Sequence, residues 1–301
     1  MKYLLILTTL MLFGCSKNSS PQLPLVSSVF TLPQAASAQY LAWHTSGDLL
    51  WLDQDLQLIK HKKLDLYSLQ RVEKLNDGLL LLVEANKNNE IVDEFIKLSF
   101  SGEQLTHWTA LPDSVNSITT EGNKVSFLGF MGDKYQLSED SIDATGNNYG
   151  KQASIITLNS NEQIICHGSD STHAPKCSKS GTQSWTKEGL WGASPKLCAN
   201  YLVEDSFHKA GSNVDNWQVA IRDTKTGNII GEIDLPELTN TQCIDDQLIT
   251  IGQTINVYQL PQLQPISVTT CAGEKAQDAT VSATDIICIN TAGKLISQRL
   301  Q

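Results

Sequence analysis

Basic residues are the first shortage in this chain. Lys and Arg number 22 against 32 Asp and Glu, a net charge of -10, so the surface repels polyanions and nucleic-acid binding is excluded as a function class. The densest basic spot, His61-Lys62-Lys63, is too short to track phosphates and reads as a solvated strand end. Long apolar runs are missing too: only residues 3–13 form one, and it is too short to span a bilayer stably. There is no Gly-x-Ser-x-Gly elbow, His-Glu-x-x-His pair, phosphate loop or dinucleotide fingerprint. No stretch sustains the 3.6-residue period of an amphipathic helix. What remains is a chain 41% hydrophobic and 18% charged, an ordinary globular balance with ample material for a core.

The first segment is an address. Lys2 supplies a positive start, Tyr3 to Phe13 the apolar stretch, and Leu12-Phe13-Gly14-Cys15 the end of it, before polar Ser16-Lys17-Asn18-Ser19-Ser20. This end resembles the lipobox of bacterial lipoproteins, with Phe13 where a small residue is usual. The resemblance implies removal of residues 1–14, a lipidated Cys15, and anchoring by several acyl chains at roughly 0.8 kcal/mol per buried methylene. Ser16 after the cysteine implies sorting to the outer membrane, facing the periplasm. Residues 15–24 read as a lipidated tether, and residues 25–301 as one domain.

That domain reads as all β: short runs of Val, Ile, Leu, Tyr and Thr broken by Asn, Asp and Gly. A polar turn followed by an apolar strand recurs at Gly47, Asp77, Gly122, Asn161, Asn200, Asp245 and Thr284, a spacing of about forty residues. A strand, glycine turn and strand recurs around Gly102, Gly227 and Gly293. A period near forty with about four strands per repeat predicts a β-propeller, because such blades bury their faces only by stacking on neighbours. The count is about seven four-stranded blades, with six and eight also compatible. The last repeat holds about three strands, so the strand from Val26 to Leu32 is expected to pair with it and close the ring. Asp223-Thr224-Lys225-Thr226-Gly227, in strand-turn-strand context, resembles repeats of the quinoprotein-like propeller superfamily. That family's glycine with Trp four residues later is matched by Gly181 and Trp185 alone.

Six further cysteines, Cys166, Cys177, Cys198, Cys243, Cys271 and Cys288, suit disulfides in an envelope compartment. Blade phase places them in pairs: 166 with 177, 198 with 243, and 271 with 288. The competing use is metal, since Cys166, His167, His173 and Cys177 offer a zinc-like donor set. The spacing follows no known finger, and no metal site is expected.

Candidate chemistry is otherwise thin. Histidines at 44, 61, 107, 167, 173 and 208 are scattered, and the acidic pairs Asp53 with Asp55 and Asp245 with Asp246 sit at turns. Trp43, Trp51, Trp191 and Trp217 read as packing between blades before they read as a binding surface. Lys134 to Gly150, Gly168 to Lys176 and Phe207 to Asn216 read as long polar loops, where function concentrates on a rigid scaffold. The expectation is a membrane-anchored propeller lipoprotein, without catalytic residues or cofactor, that docks an envelope protein. In layout it resembles the propeller lipoprotein of the outer-membrane β-barrel assembly machinery. The alternatives are a glycan- or peptide-binding propeller and a quinoprotein-like redox enzyme.

Overall fold

Alternating burial dictates the architecture. Leu79, Leu81 and Val83 pack to one side of their strand while Leu80 and Leu82 pack to the other, so the run from Leu79 to Val83 reads as unbroken apolar sequence because both sheet faces are covered. The same split recurs at Ile286 and Cys288 against Ile287 and Ile289. A sheet apolar on both faces must be sandwiched between two others.

The computed structural model describes residues 23–33, 37–151, 153–159, 161–167, 176–188, 195–210, 214–282 and 284–300. They form seven antiparallel sheets. Blade 1 holds β1 (Ser28–Thr31), β2 (Tyr40–Trp43), β3 (Asp48–Leu52) and β4 (Leu58–Lys63). Blade 2 holds β5 (Ser68–Lys74), β6 (Leu79–Lys87), β7 (Glu90–Leu98) and β8 (Gln104–Trp108). Blade 3 holds β9 (Val115–Glu121), β10 (Lys124–Gly129), β11 (Asp133–Leu137) and β12 (Ile142–Asn148). Blade 4 holds β13 (Ala153–Asn159), β14 (Glu162–His167), β15 (Lys176–Lys179) and β16 (Trp185–Glu188). Blade 5 holds β17 (Lys196–Cys198), β18 (Tyr201–Ala210), β19 (Val214–Asp223) and β20 (Ile229–Leu235). Blade 6 holds β21 (Asn240–Ile244), β22 (Gln247–Ile251), β23 (Ile255–Gln259) and β24 (Gln264–Thr269). Blade 7 holds β25 (Ala276–Val281), β26 (Asp285–Asn290) and β27 (Leu295–Arg299). Among the described residues this is an all-β, seven-bladed propeller without helices.

First strands line the axis, where β1 meets β25, β9 meets β13, and β17 and β25 meet β21. Successive blades are joined by apolar seams. Leu41, Leu49 and Trp51 of blade 1 close on Leu69, Leu79 and Leu81 of blade 2; Ile249, Ile251 and Val257 of blade 6 close on Ala276, Ile286 and Cys288 of blade 7. Full burial of each such side chain contributes about 1.5–3 kcal/mol.

Ring closure differs from expectation. The strand within Val26 to Leu32 is β1, and it pairs with β2 rather than with the last blade, with Val29 opposite Ala42. Blade 7 has three strands among the described residues. The misreading traces to the first turn marker: Gly47 sits between β2 and β3, whereas the other six markers fall between first and second strands. That phase slip accounts for a first interval of only 30 residues. Hydrogen bonds between blades 7 and 1, two to a carboxylate and one between backbones, close the seam instead. The Asp278 carboxylate accepts from the Val29 amide at 3.1 Å and from the Ser28 hydroxyl, and the Val26 amide donates to Gly293 O at 3.1 Å.

Three disulfides brace the ring, joining Cys166 to Cys177, Cys198 to Cys243 and Cys271 to Cys288. The first staples β14 to β15, where its cysteines stand opposite each other. The second ties blade 5 to blade 6. The third ties the connection after blade 6 to β26. Because Cys166 and Cys177 share one bond, neither is a thiolate that could ligate zinc.

Candidate functional site: the hairpin face and the channel mouth

A four-stranded meander puts its second turn and the link to the next blade on one face, and its first and third turns on the other. The first of these faces carries the longest excursions. The hairpin of β6 and β7 stays paired out to Lys87 opposite Glu90, and the ribbon of β18 and β19 out to Ala210 opposite Val214. The segment read as a loop at Phe207 to Asn216 is the end of that ribbon. Lys134 to Gly150 is not a long loop either: it folds as β11 and β12 with a tight turn in which Ser138 and Ser141 bond each other. Residues 168–175 and Trp191 lie outside the described residues, as do Cys15 and the residues before it.

Large apolar side chains break the surface on this hairpin face in consecutive blades. Tyr67 lies in the link into blade 2, Ile91 near the tip of its hairpin, and Phe130 and Met131 in the turn between β10 and β11; their exposures run from 45% to 58%. The turn holding them is built by Asp113, whose carboxylate accepts the Met131 amide at 3.0 Å, while the Phe130 amide bonds Ser114 O.

At the axis, the starts of the first strands gather charge. The Lys196 ammonium donates to Asn240 Oδ1 and Thr241 Oγ1, each at 3.0 Å, and to Thr241 O. Thr241 Oγ1 in turn donates to Asp205 Oδ2 at 2.6 Å. Burial pushes the Lys196 ammonium below the usual lysine range, against the pull of Asp205 and Asp278. Three acceptors for its three N–H groups make it a brace between blades 5 and 6. Asp278 is pushed up by burial, and four donors oppose the shift: Ser28, Val29 and Gln242, with the Ala279 amide. Asn240 Nδ2 also reaches Asp278 Oδ1, at 3.1 Å. Arg71 and Glu73, both on β5, the first strand of blade 2, pair with each other.

The titratable residues singled out from the sequence serve the scaffold. Asp48 accepts from Ser46, Lys63 and His61 at 2.7–2.8 Å, and His44 Nδ1 meets Ser46 Oγ at 2.8 Å. The carboxylate thus holds the His61 ring directly, whereas His44 reaches it only through Ser46. Burial would raise the Asp48 carboxyl, but the hydrogen bonds from Lys63, Ser46 and His61 hold it well below the ordinary carboxylate range. His107 Nε2 bonds Glu94 at 2.8 Å, beside Lys87. Asp53 Oδ1 caps its own turn, accepting from Asp55 and Gln57 amides at 2.9 and 2.8 Å. Asp245 adopts φ 52° in the turn between β21 and β22.

The tryptophans show an order that motif spacing misses. Trp51 of blade 1 donates to Phe100 O of blade 2 at 2.7 Å, Trp108 of blade 2 to Ser138 O of blade 3 at 2.9 Å, and Trp185 of blade 4 to Thr224 O of blade 5 at 3.0 Å. Each indole reaches the third turn of the following blade. Gly102 and Gly227, at φ 83° and 71°, have no room for a Cβ because Trp51 and Trp185 lie on them. Trp43 packs at the rim of the first seam and Trp217 beside the fifth-blade core.

Sequence reading passed over Asp278, Lys196 and the pair Glu204 with Arg222, which is buried at 2.6 Å with the guanidinium also donating to Gly227 O and Glu188 O. A charged residue inside an apolar strand, as in Ala276-Gln277-Asp278-Ala279-Thr280-Val281, is the signal that would have found the first.

No protein-family model matches the chain, and no curated protein matches it. Solved structures do. The WD40 repeats of RRP9 superpose with a TM-score of 0.64 at 9% identity, covering 88% of this chain and 87% of that one. The computationally designed Ika8 protein gives 0.61 at 8% identity, over 92% and 96%. BamB from Moraxella catarrhalis gives 0.52 at 13% identity, over 92% and 83%. Identities this low carry the fold alone, and the fold they share with this chain is the β-propeller.

Proposed function

We propose that the protein is a lipid-anchored envelope propeller whose hairpin face docks another envelope protein, without chemistry of its own. The observation that carries this reading is the row of exposed Tyr67, Ile91, Phe130 and Met131 across the links, hairpin and turn of blades 2 and 3. Aromatic and Met side chains of this kind anchor interfaces, and a rigid ring holds them without an ordering cost on binding. Three disulfides suit an oxidising compartment. The lipobox-like Cys15 and following Ser16 support an outer-membrane address facing the periplasm. A propeller is compatible with an interaction scaffold among its structural neighbours, which include WD40 proteins and BamB, a quinoprotein-like propeller lipoprotein. The three indoles that dock on the next blade favour the quinoprotein-like branch of propellers for this chain.

The test is photocrosslinking in living cells, with the probe at Ile91 or Met131 and, as control, at Asn161 on the opposite face. A discrete product from the first two positions alone supports docking through the hairpin face. Equal labelling from all three, or none, sinks it. Separately, Cys15→Ala is expected to move the protein from the membrane fraction to the soluble one; unchanged membrane retention removes the lipid anchor from the proposal.

A further inference from the structure

We propose that a polar cleft between blades 3 and 4 binds a neutral sugar of one or two rings. It lies on the face away from the hairpins and stands independently of the docking reading above.

The argument starts from an inconsistency among the seams. Blade 2 aims Leu80, Leu82 and Phe95 at blade 3, and blade 6 aims Ile249, Ile251 and Val257 at blade 7. At the equivalent places on its own second and third strands, blade 3 aims Ser126 and Gln136 at blade 4. Blade 4 answers with Thr157, Asn159 and Gln163. The apolar part of this seam is reduced to Leu128, Ala153, Ile155 and Ile165, with Tyr149 beside them, the smallest such cluster among the described residues. The rest is a cleft of about 300 Å³ lined by polar side chains, a volume at the lower end of small-ligand sites.

The cleft has a built floor. Ser117 Oγ and Thr119 Oγ1 accept the Ile155 and Thr157 amides at 3.1 and 2.8 Å, which holds β9 against β13. One wall is fixed by a chain of bonds: Lys134 Nζ to Gln163 Oε1 at 2.9 Å, and Gln163 Nε2 to Tyr149 Oη at 2.9 Å. Burial pushes Lys134 below the usual lysine range. Two lysines and two glutamates line the cleft, Lys124 and Lys134 with Glu121 and Glu162; Lys124 stands opposite Glu121 in the β9–β10 register, and Glu162 also pairs with Lys179 from outside the lining at 3.1 Å. Among the described residues no side-chain hydrogen bond engages Ser126 or Gln136, so a hydroxyl and an amide remain on offer. Fixed amides and hydroxyls, in a lining with equal numbers of lysine and glutamate, suit a ligand that is itself neutral and rich in hydroxyls. Forgoing apolar burial here costs stability that the sister seams keep, which fits retention of the cleft for binding.

Purified full-length protein in detergent is titrated with glucose, galactose, mannose, N-acetylglucosamine, maltose, lactose and cellobiose, using calorimetry and ligand-observed NMR. Saturable binding of at least one probe is expected. Gln136→Leu should weaken it about ten-fold, and S126L/Q136L, which seals the seam as the sister blades do, should abolish it while the melting temperature holds or rises. If the double variant does not fold, Gln136→Ala decides by the same ten-fold criterion. Failure of every probe to bind folded protein, or binding that survives these variants, overturns the proposal. Neither result bears on crosslinking at Ile91 or Met131.

Discussion

Asp278 in the seventh blade and Val29 in the first, 249 residues apart in sequence, are joined by a buried 3.1 Å hydrogen bond from the Val29 amide to the carboxylate. The same carboxylate receives Gln242 Nε2 of blade 6 at 2.7 Å. One side chain thus ties three blades across the point where the ring closes. Asp278→Ala would leave a buried amide and two side-chain amides short of an acceptor, at about 1–3 kcal/mol for each group left unpaired. Urea unfolding should show a midpoint well below that of the parent; an unchanged midpoint would mean that the apolar seam of Val29, Ile287 and Ile289 closes the ring unaided.

Gly227 offers a sharper probe of blade docking. Its φ of 71° disfavours any Cβ, and the Trp185 ring occupies the space that one would need. Gly227→Ala is expected to cost about 1–3 kcal/mol, combining overpacking with left-handed backbone. Trp185→Phe, which keeps an aromatic but loses the bond to Thr224 O, should cost about 1 kcal/mol. Thermal unfolding of both variants checks the order, and a Phe variant worse than the Ala variant would contradict it.

The bond from Cys198 to Cys243 closes 45 residues and links two blades, whereas that from Cys166 to Cys177 closes 11 within one. Loop-closure entropy predicts about 4 kcal/mol for the longer and about 3 kcal/mol for the shorter. Serine pairs at 198 and 243 should therefore lower stability more than pairs at 166 and 177. Denaturant unfolding of the two double variants, compared under oxidising conditions, tests the ranking.

Asp48 gives a pH signature. Its carboxyl is held below the ordinary 3.8 by Lys63, Ser46 and His61 despite partial burial. A depressed carboxyl stabilises the fold above its unfolded value, and that contribution is lost as the pH falls through the folded value. Asp48→Asn should therefore melt below the parent at pH 7, with the gap narrowing once the pH drops under about 3.8. A gap that widens in acid would reverse the assignment.

Sequence alone determined the all-β class and pointed to about seven blades and to the cysteine pairs, because a period near forty and the alternation of apolar residues are local properties of the chain; the structure decided the count of seven over six or eight. Gly102 and Gly227 were legible as turns for the same reason. The phase of the first blade was not: a glycine turn looks alike between second and third strands as between first and second, so β1 was assigned to the wrong sheet. Tertiary structure alone decided the rest. Asp278, Lys196 and the docking indoles gain their partners from blades roughly thirty to two hundred and fifty residues away, and the polar seam at Ser126 and Gln136 exists only where two blades face each other. Strand pattern records which side of a sheet a residue takes; what stands across from it is set by ring closure, which no local period encodes.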